Sequence, residues 1–190
     1  MKKGDLVEKV AHFKKPVFKV SDLKFWFPQE FELKTSIRRL KEKGHIIALR
    51  RGLYALKEEC FDIEKVATAY YYPSYISFDS ALAKYGIKNQ GIYGVTLATT
   101  RHTKRVVLGG IDCVYSQLKK DLFFGYMLEK GVYVADAEKA VLDQLYMISK
   151  GLSFDSSAEW DLSGLKKGVL RQYAKKYPKA VSLLLEGLLW

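Results

Sequence analysis

The chain has 190 residues, 48% of them hydrophobic and 28% charged, with a formal net charge of +11. That length and apolar content are enough to bury one large or two small cores, which excludes a low-complexity chain. No apolar run approaches the roughly 20 residues that a membrane-spanning helix needs, and the excess of cations points to a polyanionic partner.

The placement of the charge says more than its sum. Residues 1–57 hold 15 Lys and Arg against 6 Asp and Glu, whereas residues 58–190 hold 17 against 15. Nearly all the excess therefore sits in the first third, as expected when one module meets nucleic acid and another does something else. Cys60 and Cys113 stand alone, with no CxxC and no His at ligand spacing. A disulfide framework or a zinc knuckle is not expected, and a reducing compartment fits. The opening MKKGDLVEKVAHFKK carries lysines without a continuous apolar stretch behind them, so it reads as no secretory signal, and the expected location is the cytoplasm.

In chain order, Asp5 caps an expected first helix with Leu6, Val7, Val10 and Ala11 on one face, ending before Pro16. Residues Val17–Val20 form an extended connection, and Ser21 caps a second helix from Asp22 to Trp26 that Pro28 closes. The third helix is the basic one. Leu33, Ile37 and Leu40 recur at i, i+4 and i+7, Gly44 stops the helix, and Lys34, Thr35, Ser36, Arg38, Arg39 and Lys41 fall on the other faces. The period then changes: His45–Leu49 and Leu53–Leu56 read as two strands around an Arg50-Arg51-Gly52 turn. Three helices and then a hairpin, complete by residue 57, is the order of a winged helix-turn-helix. That fold lays its basic helix in a major groove and its hairpin tip against phosphates or a minor groove.

Lys57-Glu58-Glu59 is the expected domain joint. Beyond it the sequence predicts a helix over Asp62–Tyr71, broken by Pro73, and another over Phe78–Tyr85, capped by Ser77 and ended by Gly86. Strands follow at Tyr93–Thr99, Arg105–Leu108, Ile111–Leu118, Phe123–Tyr126 and Val132–Ala135, with Gly109-Gly110 and Lys130-Gly131 among the turns. Asp136 caps a helix over Ala137–Lys150 that turns Ala140, Val141, Leu145 and Ile148 inward. A polar loop to Gly164 leads to two last helices, Leu165–Lys176 and Lys179–Leu189. The final helix is apolar enough to lie in the core or at a subunit contact. The fold class read from this pattern is α+β: a winged helix-turn-helix domain over residues 1–57, then a mixed α/β domain over 58–190.

Four phrases in register, IRRLKEKGHIIALRRGLYAL at 37–56, PSYISFDSALAKYGI at 73–87, VTLATTRHTKR at 95–105 and VADAEKAVLDQLYM at 134–147, resemble the AbiEi-type antitoxins of type IV toxin–antitoxin pairs. The resemblance implies a transcriptional repressor of its own operon, bound to inverted repeats of duplex DNA with possible self-association there. It also implies a C-terminal domain that counteracts a nucleotidyltransferase-like toxin without needing a stable complex with it. Carried over by position, the basic helix and the wing arginines are the DNA contacts. Ser77–Tyr85 and Glu138, Lys139 and Asp143 are family positions with no assigned chemistry.

The residues on their own assign Lys34, Thr35, Ser36, Arg38, Arg39, Lys41, Arg50 and Arg51 to duplex DNA. Thr35 and Ser36 are placed to hydrogen-bond base edges or phosphates. Arg38 and Arg39 can pair bidentately with guanine, and Arg50 and Arg51 suit phosphates or a minor groove. Two other readings compete. A winged helix can dock an acidic protein instead of DNA. Glu138, Lys139 and Asp143 could serve an RNA- or nucleotide-modifying enzyme, but Glu138 and Lys139 are adjacent at a helix start, where the helix dipole alone accounts for Glu138. Tyr70, Tyr71, Tyr72 and Tyr75 lack the basic groove that a stacking platform for single-stranded RNA requires, and are expected to pack between domains. His12, His45 and His102 are scattered, and no P-loop or GxGxxG is present. No catalytic residue, metal site or cofactor is assigned.

Overall fold

The computed structural model describes residues 16–26, 28, 33–57, 62–89, 93–154 and 157–189. The helix expected over residues 5–15 lies outside the described residues, as does Cys60. The chain is α+β, with seven α-helices and two sheets among the described residues. It divides into two units, Met1–Tyr71 with Val106–Asp112, and Tyr72–Arg105 with Cys113–Trp190.

The first unit contains β1 (Phe18–Lys19), α1 (Val20–Trp26), α2 (Leu33–Glu42), β2 (Ile46–Arg50), β3 (Leu53–Leu56) and α3 (Ile63–Tyr70). Helix α1 starts two residues before the expected Asp22. The reason is that Asp22, not Ser21, closes the entrance: its Oδ2 accepts from the Lys19 N–H at 2.9 Å, reaching back one turn as the third residue of a capping box does. The extended connection before α1 becomes β1, which pairs antiparallel with β3 and gives the sheet order β1-β3-β2. Helix α2 buries Leu33, Ile37 and Leu40 in one cluster with Phe18, Leu23, Ile46 and Leu56. At about 1.5–3 kcal/mol for each fully buried aliphatic side chain, that stripe fixes which way the helix faces. Gly52 takes φ +77° in the turn between β2 and β3, a conformation that disfavours any side chain. The pairing of β2 with β3 slips by one residue between Ala48 and Arg50, a bulge at Leu49. The unit continues past the charged joint at 57–59 to take in α3, and Arg50 Nη1 donates to Tyr70 Oη at 2.8 Å.

The second unit carries β4 (Ser74–Ile76), α4 (Phe78–Lys84), β5 (Gly94–Thr99), β8 (Tyr126–Glu129), β9 (Val132–Ala135), α5 (Ala137–Ser149), α6 (Lys167–Ala174) and α7 (Lys179–Leu189). The hairpin of β6 (Lys104–Leu108) and β7 (Ile111–Gln117) contributes residues to both units. The six-stranded sheet has the order β6-β7-β5-β4-β9-β8, antiparallel for β4 with β5 and β8 with β9, and parallel for β4 with β9.

Strand β4 was not expected. Its three residues are all buried in the middle of the sheet, and three residues carry no readable period. The strand expected at Phe123–Tyr126 forms instead at Tyr126–Glu129. Its register is set by the two-residue turn Lys130-Gly131, both at positive φ, which pairs Glu129 with Val132. Phe123 and Phe124 are left to pack their rings, on Tyr75 at 4.9 Å and on Tyr173 at 5.1 Å between centroids.

Helix α5 is buried on every side from Glu138 to Met147, packed on α4, α6, α7 and β9; the expected inward residue Ile148 is only half-buried. A helix so enclosed must neutralise its polar residues internally. Asp143 does so with four donors: Oδ1 accepts from Lys139 Nζ and from Tyr177 Oη at 2.8 Å, while Oδ2 accepts from Tyr75 Oη at 2.9 Å and Ser77 Oγ at 2.8 Å. Ser77 is therefore not the side-chain cap expected for α4. Thr96 takes that task, its Oγ1 accepting from the Ser80 N–H at 2.9 Å. Lys139 Nζ also donates to Tyr177 Oη at 2.7 Å and lies 5.0–5.5 Å from the ring centroids of Tyr75, Phe124 and Tyr177. Gly125, at φ +67°, lets the chain pass: a Cβ there would stand 3.2 Å from Lys139 Cβ and 3.1 Å from Tyr173 Cε2.

Removing the shared acceptor should be worse than removing one donor. Asp143→Ala strands an ammonium and three hydroxyls and is expected to cost about 3–5 kcal/mol. Lys139→Met leaves Asp143 three hydroxyl donors and is expected to cost about 1–3 kcal/mol. Urea midpoints of the two variants give the order, and a larger loss for Lys139→Met contradicts the account.

Candidate nucleic-acid interface

Burying Leu33, Ile37 and Leu40 sends the cations of α2 outward, because 100° per residue puts Arg38 and Arg39 on the far side of the cylinder. Lys34, Arg38, Arg39 and Lys41 are all exposed, whereas Thr35 and Ser36 are half-buried. On the helical wheel Lys34, Arg38 and Lys41 share one flank, and Arg39 lies on the other beside Thr35 and Ser36. Arg38 Nε is 3.7 Å from Glu42 Oε1, one turn on, with both side chains largely in solvent. Exposed i,i+4 pairs of this kind are worth about 0.3–0.5 kcal/mol, so Arg38 exchanges partners readily. Lys34, Arg39 and Lys41 have no ion-pair partner among the described residues.

The two hairpin arginines are not equivalent. Arg51 lies exposed in the turn next to Gly52. Arg50, also exposed, bonds the Tyr70 hydroxyl and has its guanidinium carbon 5.9 Å from that ring's centroid, so its direction is set by α3. Sequence reasoning missed Tyr70 as part of this surface. The only signal was an aromatic on the apolar face of a helix 20 residues from the turn, which reads equally well as core. The helix and hairpin residues thus stand on elements of one unit that pack on each other, α2 against β2. Exposed guanidinium and ammonium groups in this setting can pair with phosphate oxygens or with base edges.

The acidic and lysine residues of α5 form no comparable surface. Glu138 is buried and its Oε1 accepts from the Lys166 N–H at 2.7 Å, supplying a partner at the entrance of α6. Asp136 caps α5 as expected, Oδ1 accepting from the Lys139 N–H at 2.7 Å and Oδ2 from Tyr173 Oη at 3.0 Å. Lys139 and Asp143 have no exposed surface. Burial pushes the Lys139 ammonium below the usual lysine range, against the pull of Asp143. Tyr75 is fully buried, its ring 4.6 Å from that of Tyr126, so the four tyrosines offer no common stacking platform. No group of three His, Cys, Asp or Glu that could hold a metal ion occurs among the described residues, and no described helix is long and apolar enough to cross a membrane.

No protein-family model matches the chain, and no curated protein matches it.

The buried hydroxyls make stability sensitive to alkali. Burial, and then the Asp143 carboxylate, raise Tyr75 and Tyr177 well above the ordinary tyrosine range, and burial followed by Glu129 pushes Tyr85 up to about 12. Above the usual tyrosine value of about 10 the unfolded chain loses these protons while the folded one keeps them. Stability is therefore full below pH ~10 and falls above it, by up to about 1.4 kcal/mol per pH unit for each of Tyr75 and Tyr177. Tyrosinate absorbance should rise in a cooperative step together with loss of circular dichroism, and Tyr177→Phe should make the alkaline loss shallower. Smooth titration of every tyrosine near pH 10 in a folded protein would contradict this.

Proposed function

We propose that the chain is a cytoplasmic DNA-binding transcriptional regulator whose first unit is a winged helix-turn-helix, α2 entering the major groove and the β2–β3 hairpin acting as the wing. The observation that carries the reading is the exposure of Lys34, Arg38, Arg39 and Lys41 on the sides of α2 away from its buried stripe, with Arg51 exposed at the tip of the adjoining hairpin. The concentration of net positive charge in residues 1–57 supports it further, since solubility alone asks for no such clustering. Phosphate contacts from the helix flanks and Arg51 supply affinity, while Thr35, Ser36 and one or both of Arg38 and Arg39 read base edges. Tyr70 holds Arg50 in one direction along the wing.

The second unit is proposed to be the effector part of an antitoxin similar to the AbiEi type. In that reading the protein represses its own operon from inverted repeats and counteracts a nucleotidyltransferase-like toxin. The support is the run of four phrases between residues 37 and 147. Occupation of the repeats would keep polymerase from the promoter.

Duplex spanning the region upstream of the protein's own gene is the substrate for the test. With four to six phosphates contacted, log K should fall against log salt with a slope of about −4 to −5. Arg38→Ala/Arg39→Ala should weaken binding by tenfold or more, and reduce that slope by about 1 for each of the two arginines that contacts a phosphate. A flat salt response, or unchanged binding by the double variant in fluorescence anisotropy, would defeat the proposal and leave docking of an acidic protein as the use of this face.

A further inference from the structure

Within the second unit, α6 and α7 flank an open groove with an unusual wall. Lys167 and Arg171 of α6 and Lys175, the residue that closes it, line the groove at i, i+4 and i+8, so they form one row about 12 Å long. All three are exposed and none has an ion-pair partner among the described residues. Like charges four residues apart destabilise a helix, and α6 has only eight residues over which to absorb that. The facing wall, on α7, has buried Leu185 at its foot, half-buried Leu189 beside it and the exposed Glu186 carboxylate.

This combination selects among anions. A phosphate backbone laid in the groove would satisfy the cations but, charged along its whole length, would meet the apolar edge at Leu189 and the Glu186 carboxylate on its other side. A helix confines its carboxylates to one edge, at i, i+4 and i+8 to match the pitch of the α6 row, and turns leucines and an uncharged or basic residue toward Leu189 and Glu186, so that no like charges meet. We infer that the α6–α7 groove docks an acidic amphipathic helical segment of a partner protein, its carboxylates on Lys167, Arg171 and Lys175 and its apolar side on Leu185 and Leu189. The inference does not depend on DNA binding by the first unit, whose cations lie on other elements.

The probe is a synthetic, labelled amphipathic helix with Glu at i, i+4 and i+8 and Leu along the adjoining stripe, titrated with the full chain by fluorescence anisotropy. Saturable binding is expected, weakened about tenfold or more by Lys167→Glu/Arg171→Glu/Lys175→Glu, and to an intermediate extent by the corresponding triple alanine variant. A peptide with its leucines replaced by serine should also bind about tenfold more weakly, which separates docking from mere attraction of opposite charges. Duplex DNA affinity should be the same for all three proteins. Circular dichroism checks the fold, and the alanine variant carries the test if charge reversal perturbs it. Absence of saturation, equal binding of the serine peptide, equal binding by the triple variants, or loss of duplex binding in place of peptide binding would each overturn the inference.

Discussion

Once Leu33, Ile37 and Leu40 are packed with Ile46 and Leu56, the remaining faces of α2 have no choice of direction. The cations leave the core because charge cannot enter it unpaired, and the same contact brings the start of β2 under the helix. Arg50 at the end of β2 and the turn of Arg51 and Gly52 then follow within a few residues, because β2 pairs antiparallel with β3. One apolar stripe of three residues thereby decides the composition of the candidate interface. A side chain that merely stabilises the unit and one that would meet a ligand alternate along the same helix, and they are told apart by which way the stripe turns them.

The second unit solves the opposite problem. Its central helix α5 has no outer face between Glu138 and Met147, yet it carries Glu138, Lys139, Asp143 and Gln144 there. Each is matched by a partner: Lys166, Asp143 itself, the hydroxyls of Tyr75, Ser77 and Tyr177, and the Ser153 hydroxyl for Gln144. An apolar core of equal volume could be as stable, since a buried ion pair recovers little more than its own desolvation. What the network adds is directionality. Four donors converging on one carboxylate hold β4, the start of α4, α5 and the connection between α6 and α7 to a single arrangement.

Legibility in the sequence tracked the distance between partners. The α2 stripe, the cap of α5 at Asp136, the Gly52 turn and the Lys130-Gly131 turn depend on residues within one turn of each other, and local pattern was enough to place them. Ser77 shows where that reasoning stops. It occupies the residue before α4, as a cap should, but its hydroxyl serves Asp143, 66 residues away. Tyr70 and Tyr75 carry the same expectation of packing between domains, yet Tyr70 holds Arg50 and Tyr75 is buried with its hydroxyl on Asp143. In each case the residue type was compatible with two environments and only the tertiary partner chose between them. The resemblance to a repressor family named the basic helix and the wing arginines as one set, but could not show that Arg50 and Arg51 differ in how they are held.

The central claim is that α2 and the β2–β3 hairpin form the surface that meets duplex DNA, and amide hydrogen–deuterium exchange of the full chain with and without upstream duplex tests it most directly. The account predicts added protection over residues 33–52, absent in the Arg38→Ala/Arg39→Ala variant. Protection confined to residues 72–189, or no change on adding duplex, would contradict it.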